Sequence, residues 1–163
     1  MRMAVMGAGS LGTIIGALIT KGGLEIDLID VNTAHVNALK ERGAKITGKM
    51  ELEVPVKALT PDEMAGEYDL FFYLVKATHN EEALPKVAQH LKSDGVVVTM
   101  QNGIPEESVA AVVGRERTLG CAVGWGAALV APGVSMLASD LERMTYDIGE
   151  LDGQITDRLK KII

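Results

Sequence analysis

The chain has 163 residues, 47% apolar and 23% charged, with a formal net charge of −6. That length suits one domain with a sizeable core and is too short for two large ones. The acidic balance excludes the usual electrostatics of nucleic-acid or anionic-membrane partners, because phosphate binding needs a basic face.

Residues 2–6, RMAVM, are a short apolar run leading into a glycine turn and a helical stretch over 10–21. Glycines at 7, 9, 12 and 16 interrupt this run, so it reads as folded structure rather than a secretory signal. No run of about 18 uninterrupted apolar residues is present to span a bilayer. Gly22 and Gly23 suit the helix end. LEIDLID (24–30) predicts a second strand, and NTAHVNALKERG (32–43) a helix with an Asn/Thr cap and a terminal glycine. AKITGKMELEVPVKAL (44–59) predicts a hairpin turning at Gly48-Lys49, with Ile46, Leu52, Val54 and Val56 in strand-like alternation. PDEMAG follows as a helical turn. YDLFFYLVKA (68–77) is apolar enough for a central parallel strand buried on both faces. NEEALPKVAQHLK predicts a helix that tolerates Pro85 in its first turn or so. GVVVTM (95–100), PEESVAAVVG and RTLGCAV continue as strand, helix and strand. GAALVAPGVSMLA then predicts two antiparallel strands around a Pro-Gly turn, MTYDIGEL continues the sheet, and DGQITDRLKKII opens a last helix.

Residues 7–12, GAGSLG, spell G-x-G-x-x-G directly after a strand and at the opening of a helix, with Asp30 closing the next strand. This context marks a dinucleotide-binding loop. Gly7 makes the tight turn, Gly9 lets backbone approach a pyrophosphate, and Gly12 lets the helix pack close to the sheet. Ala8, Ser10 and Leu11 complete the loop, and the helix N-terminus offers N–H groups to phosphate. The carboxylate of Asp30 suits adenosine ribose hydroxyls and repels a 2′-phosphate, and Val31, Asn32 and Thr33 supply no arginine for one. NAD(H) is therefore favoured over NADP(H). The expected fold is α/β: one doubly wound, Rossmann-type domain over 1–163 with right-handed crossovers. Its sheet is mainly parallel, with a β-hairpin insertion and antiparallel strands at the C-terminal edge.

Two further strand ends carry chemistry. Lys76, in YLVKATHNEEAL, and Asn102, in TMQNGI, fall on the same sheet edge as the glycine loop, where open parallel sheets bind ligands. GAGSLG, VKA and QNG in this order resemble the N-terminal domain of the ketopantoate reductase (2-dehydropantoate 2-reductase) family, over essentially the whole chain. The resemblance implies hydride transfer from a reduced nicotinamide to a small 2-keto acid, giving a 2-hydroxy acid. It implies a cofactor-binding Lys76 at the nicotinamide end. It also implies an Asn102 that binds cofactor and serves catalysis by a hydrogen bond to the reacting oxygen, as a neutral amide can. Members of the family often carry arginine after the second strand and prefer NADP; here the sequence is IDVN. The family's proton-donating lysine and substrate-gripping residues belong to a C-terminal helical domain, expected beyond Ile163. These residues alone are then expected to bind cofactor with little or no turnover, and the face left bare could drive homo-oligomer formation. A stand-alone sensory module and the first domain of another hydroxy-acid dehydrogenase are the alternatives.

Other reactive residues form no constellation. His35, His79 and His90 lack metal-ligand spacing, so no metal site is expected. Cys121, the only cysteine, reads as a buried structural thiol of a cytoplasmic protein. Trp125 fits either the wall of the cleft or local packing.

Overall fold

The computed structural model describes all residues, 1–163. The chain runs β1 (Met3–Met6), α1 (Ser10–Lys21), β2 (Ile26–Ile29), α2 (Thr33–Arg42), β3 (Ala44–Gly48), β4 (Leu52–Val54) and β5 (Lys57–Leu59). It continues through β6 (Tyr68–Tyr73), α3 (Asn80–His90), β7 (Leu91–Thr99), α4 (Glu106–Val113) and β8 (Thr118–Val123). The last elements are β9 (Ala127–Ala131), β10 (Val134–Leu137), β11 (Tyr146–Glu150) and α5 (Asp157–Ile162).

The main sheet has the order β11-β8-β7-β6-β1-β2-β5, parallel except for β11, which pairs antiparallel with β8. The chain winds outward from β1 through β2 to β5 and then returns to β6 on the other side of β1. That reversal opens a crevice at the carboxyl ends of β1 and β6. The strand sequences explain why the sheet is covered on both faces. Met3 and Val5 join one apolar core and Ala4 and Met6 the other, as the two-residue period of a strand dictates. One core includes Leu84, Val87, Val109 and Val113 from α3 and α4. The other holds Ile14, Ile15 and Ala17 of α1.

A second sheet, β4-β3-β10-β9, packs on the far side of α1. The helix therefore lies between two sheets, and every residue from Gly12 to Ala17 is buried. Its sequence there is apolar except for Thr13, whose hydroxyl is bonded within the loop, as a helix without a solvent face requires.

Three departures from the sequence expectations have local causes. The predicted hairpin forms at β3–β4, but residues 57–59 leave it and become the third parallel strand of the main sheet. Pro55, which has no N–H for a ladder, stands where the chain changes sheets. The two late antiparallel segments also part company: β9 and β10 join the second sheet, while β11 alone forms the antiparallel edge of the main one. Pro85 lies inside α3, one turn deeper than expected. It sits on the exposed side, where water can satisfy the carbonyl that its missing N–H leaves free.

Asp27 anchors the end of the sheet opposite the crevice. Its carboxylate is buried and accepts from the Tyr68 hydroxyl at 2.7 Å, Lys57 Nζ at 2.8 Å and Arg2 Nη2 at 3.4 Å. Burial opposes its ionisation, but Lys57, Tyr68 and Arg2 outweigh burial and hold the carboxyl below its ordinary range. A depressed folded value means the stabilisation is complete above about pH 4 and fades as pH falls further. Asp27→Asn is expected to cost about 1–2 kcal/mol at pH 7, a modest figure because both cations reach solvent. The gap to wild type should narrow as pH falls below the ordinary carboxylate range, as urea midpoints across pH 2–7 will show.

Candidate functional site

The crevice is a cleft of about 740 Å³ built from the carboxyl ends of four neighbouring parallel strands. Met6 and Gly7 come from β1, Ile29 and Asp30 from β2, Leu74 to Ala77 from beyond β6, and Met100 to Asn102 from beyond β7. Gly7, Gly9, Ser10, Leu11, Gly12, Asp30, Lys76 and Asn102 all line it. Of the residues assigned from sequence, only Ala8 does not. Its side chain is fully buried, its N–H donates to the Ile29 carbonyl at 2.9 Å, and its carbonyl accepts from Thr13 Oγ1 at 2.8 Å. Both its backbone groups are thus bonded within the fold.

The three loop glycines occupy three different environments. Gly7 has φ +93°, and a Cβ there would lie 2.7 Å from Val75 N. At Gly12 a Cβ would meet the Gly7 carbonyl oxygen at 2.4 Å and Val5 Cγ1 at 2.8 Å. At Gly9 a Cβ would find nothing within 4 Å. Two glycines are therefore required by the protein itself, while the third borders open space in the cleft. Helix geometry leaves the N–H groups of Ser10, Leu11 and Gly12 without carbonyl partners. No side chain caps them, so they remain available to an anion.

Asp30 follows the last residue of β2 and donates its N–H to the Leu59 carbonyl at 3.2 Å. One carboxylate oxygen, Oδ1, accepts from Asn32 N at 2.9 Å, which steers the side chain in a short turn at the head of α2. Lys76 is exposed at the start of a 3₁₀ turn over Ala77–His79. Asn102 is exposed in the turn that Gly103 completes at φ +93°.

The cleft also draws on residues the sequence did not single out for it. His79, Glu82, Ala83 and Lys86 line it. Their spacing of three, four and seven is that of one helical face, which was the available signal. Lys86 is held by Asp62 Oδ1 at 2.6 Å. Gln101 lines the cleft beside Asn102, and Leu129 enters from β9.

His35, set aside as a helix residue, is fully buried directly under the loop. Its Nδ1 accepts from Gly133 N at 2.9 Å, which puts the ring hydrogen on Nε2. Nε2 then donates to the Ala8 carbonyl at 2.8 Å and lies 3.0 Å from Thr13 Oγ1. No pattern in the sequence announces Gly133, 98 positions away, as its partner.

Cys121 is buried in β8, and burial, with Asp147 nearby, pushes its thiol up to about 11, so it is no nucleophile at neutral pH. Trp125 packs locally, edge-on to Tyr146 with ring centroids 5.8 Å apart. No group of three His, Cys, Asp or Glu side chains is close enough to hold a metal, and no helix is long and apolar enough to cross a membrane.

A family model described as ketopantoate reductase PanE/ApbA matches residues 3–153. A 2-dehydropantoate 2-reductase of Archaeoglobus fulgidus is 32% identical over 161 residues, 99% of this chain and 51% of that protein. Its counterpart from Pyrococcus abyssi is 35% identical over 136 residues, 82% and 43% of the two chains. Among solved structures, D-mandelate dehydrogenase with NADH and anilino(oxo)acetate has a TM-score of 0.88 at 26% identity, covering 99% of this chain and 52% of that one. The 2-dehydropantoate 2-reductase of Geobacter metallireducens also scores 0.88, at 25% identity over 99% of this chain and 53% of that one. The chain thus spans about half the length of the curated relatives it matches.

Proposed function

Since the chain belongs to the ketopantoate reductase family, we propose that it is the dinucleotide-binding part of an oxidoreductase. The enzyme reduces a small 2-keto acid of the ketopantoate kind to the 2-hydroxy acid. One observation carries this: the free N–H groups of the glycine loop, Asp30, Lys76 and Asn102 line a single cleft at the strand reversal.

The cleft's residues fit a nicotinamide dinucleotide end to end. The open space at Gly9 and the uncapped turn of α1 take the pyrophosphate. Asp30 accepts from the adenosine ribose hydroxyls and disfavours a 2′-phosphate, so NAD(H) is the preferred form. Lys76 supplies positive charge at the nicotinamide end, and Asn102 can donate a hydrogen bond to the reacting oxygen without giving up a proton. The cofactor, when bound, supplies the hydride; the residues here bind, orient and exclude water. The proton donor and the groups that choose the keto acid belong to a C-terminal helical domain, and the complete enzyme is cytoplasmic. The resemblance to D-mandelate dehydrogenase favours one second reading, the same domain serving a different 2-hydroxy acid.

Calorimetric titration with NADH and NADPH tests the reading. NADH should bind at least about tenfold tighter, and Asp30→Ser should narrow the gap. Equal or tighter NADPH binding by wild type overturns the role of Asp30, and no binding of either overturns the cofactor reading altogether.

A further inference from the structure

Gln101 sits immediately before Asn102, yet its side chain reaches across to the neighbouring loop. Nε2 donates to the Val75 carbonyl and, at 2.8 Å, to Asn80 Oδ1. Both partners are acceptors only, so the amide can sit one way round and no other. Its Oε1 is left buried with no partner. The Val75 carbonyl belongs to the peptide unit that opens Lys76. Asn80 is the first residue of α3; its Oδ1 also accepts from the buried Tyr73 hydroxyl at 2.9 Å. Asn80 Nδ2 in turn donates to Ser108 Oγ of α4 at 3.4 Å, whose hydroxyl donates to the Pro105 carbonyl at 2.7 Å. One amide therefore ties the end of β6, the head of α3 and the end of β7 together, with α4 joined through Asn80.

A residue retained only to fill space would not keep an orphaned acceptor there, because a buried oxygen without a donor destabilises the fold. Methionine has nearly the same shape and no such oxygen. Resting on the proposed function, we propose that Gln101 is a positioning residue: it fixes the Lys76 loop against the Asn102 loop and so sets the nicotinamide end of the cleft. It acts through the peptide unit of Lys76 and has no part in holding the adenosine end, which Asp30 and the glycine loop form.

Two probes separate these ends. ADP carries the adenosine and both phosphates but no nicotinamide or its ribose; the full dinucleotide is whichever of NADH and NADPH wild type binds tighter. Gln101→Met should raise the dinucleotide Kd about fivefold to tenfold and leave the ADP Kd within about twofold. Hydrogen exchange in the unliganded protein should quicken at residues 76–80 and stay unchanged at 7–13. Gln101→Glu, which turns a carboxylate toward two carbonyl oxygens, should weaken the dinucleotide further still. If Gln101→Met does not fold, Asn80→Ala carries the same comparison. It removes one of the two acceptors of Gln101, and with it the acceptor of the Tyr73 hydroxyl, which Tyr73→Phe in the same background relieves. Equal losses for ADP and dinucleotide, or no loss for either, overturn the positioning role while leaving the cofactor reading intact. Failure of wild type to bind either dinucleotide overturns both.

Discussion

Gly9→Ala is expected to leave the melting temperature within about 2 °C of wild type while weakening NADH binding at least about tenfold; Gly12→Ala should lower both. The contrast comes from what each new methyl meets. At position 9 it enters open space at the rim of the cleft and touches no protein atom within 4 Å. No packing opposes it, and the cost to the fold is that of alanine at the N-cap of α1, about 0.5 kcal/mol, but backbone can no longer close on a pyrophosphate. At position 12 the methyl would lie 2.4 Å from the Gly7 carbonyl oxygen and 2.8 Å from Val5 Cγ1. The first of these is backbone in a turn that cannot yield without shifting α1 off β1. Overpacking of this kind costs about 1–3 kcal/mol or more, against roughly 1 kcal/mol gained from alanine's better helix propensity. The net loss should show as a fall of several degrees, at about 2–4 °C per kcal/mol for a chain of this size. Thermal unfolding and calorimetry on the same preparations give both readouts. Wild-type NADH affinity in Gly9→Ala would falsify the placement of the pyrophosphate at this loop.

His35→Leu is expected to cost about 2 kcal/mol, and His35→Ala about 4 kcal/mol. Leucine fills most of the ring's volume, so its cost is chiefly polar. The Gly133 N–H loses its acceptor in the interior, while the Ala8 carbonyl keeps the Thr13 hydroxyl. Alanine adds a cavity to that loss. NADH affinity should fall with both, because Ala8 and Gly9 share a peptide unit and the histidine steadies its neighbour from below. Urea unfolding at pH 7 measures the first effect and titration the second. Stability equal to wild type in His35→Leu would mean that the bonds to Gly133 and Ala8 contribute nothing net.

What could be read from the sequence follows the range over which each signal acts. The glycine loop and Asp30 are legible because their spacing along the chain is itself the geometry, and the buried runs of β6 and β7 announce a parallel sheet by composition alone. Lys76 and Asn102 became legible once their strands were ordered. By contrast, nothing local says that residues 57–59 abandon a hairpin for the main sheet, since Val56 and Ala58 continue an alternation that either sheet would accept. The second sheet went unread for the same reason: β3 and β10, almost ninety positions apart, pair in parallel, and each looks like half of an ordinary hairpin. At Ala8 the motif names a position without saying that the fold has already claimed its backbone groups. His35 and Gln101 escaped as contacts because their partners are set by tertiary structure.

The burial of α1 between two sheets has a consequence for the order of folding. The helix that carries the glycine loop begins at residue 10, yet its outer face is covered by β9 and β10, which end at residue 137. His35 likewise waits for Gly133 before its ring is fully bonded. Contacts this distant in sequence are slow to close and form late. During synthesis the glycine loop leaves the ribosome well before β9 and β10, and it is thus among the last parts of this domain to gain its native support. The cleft is fully supported only when nearly the whole sheet framework exists, so nucleotide binding is expected to track completion of the domain rather than the presence of the glycine motif alone.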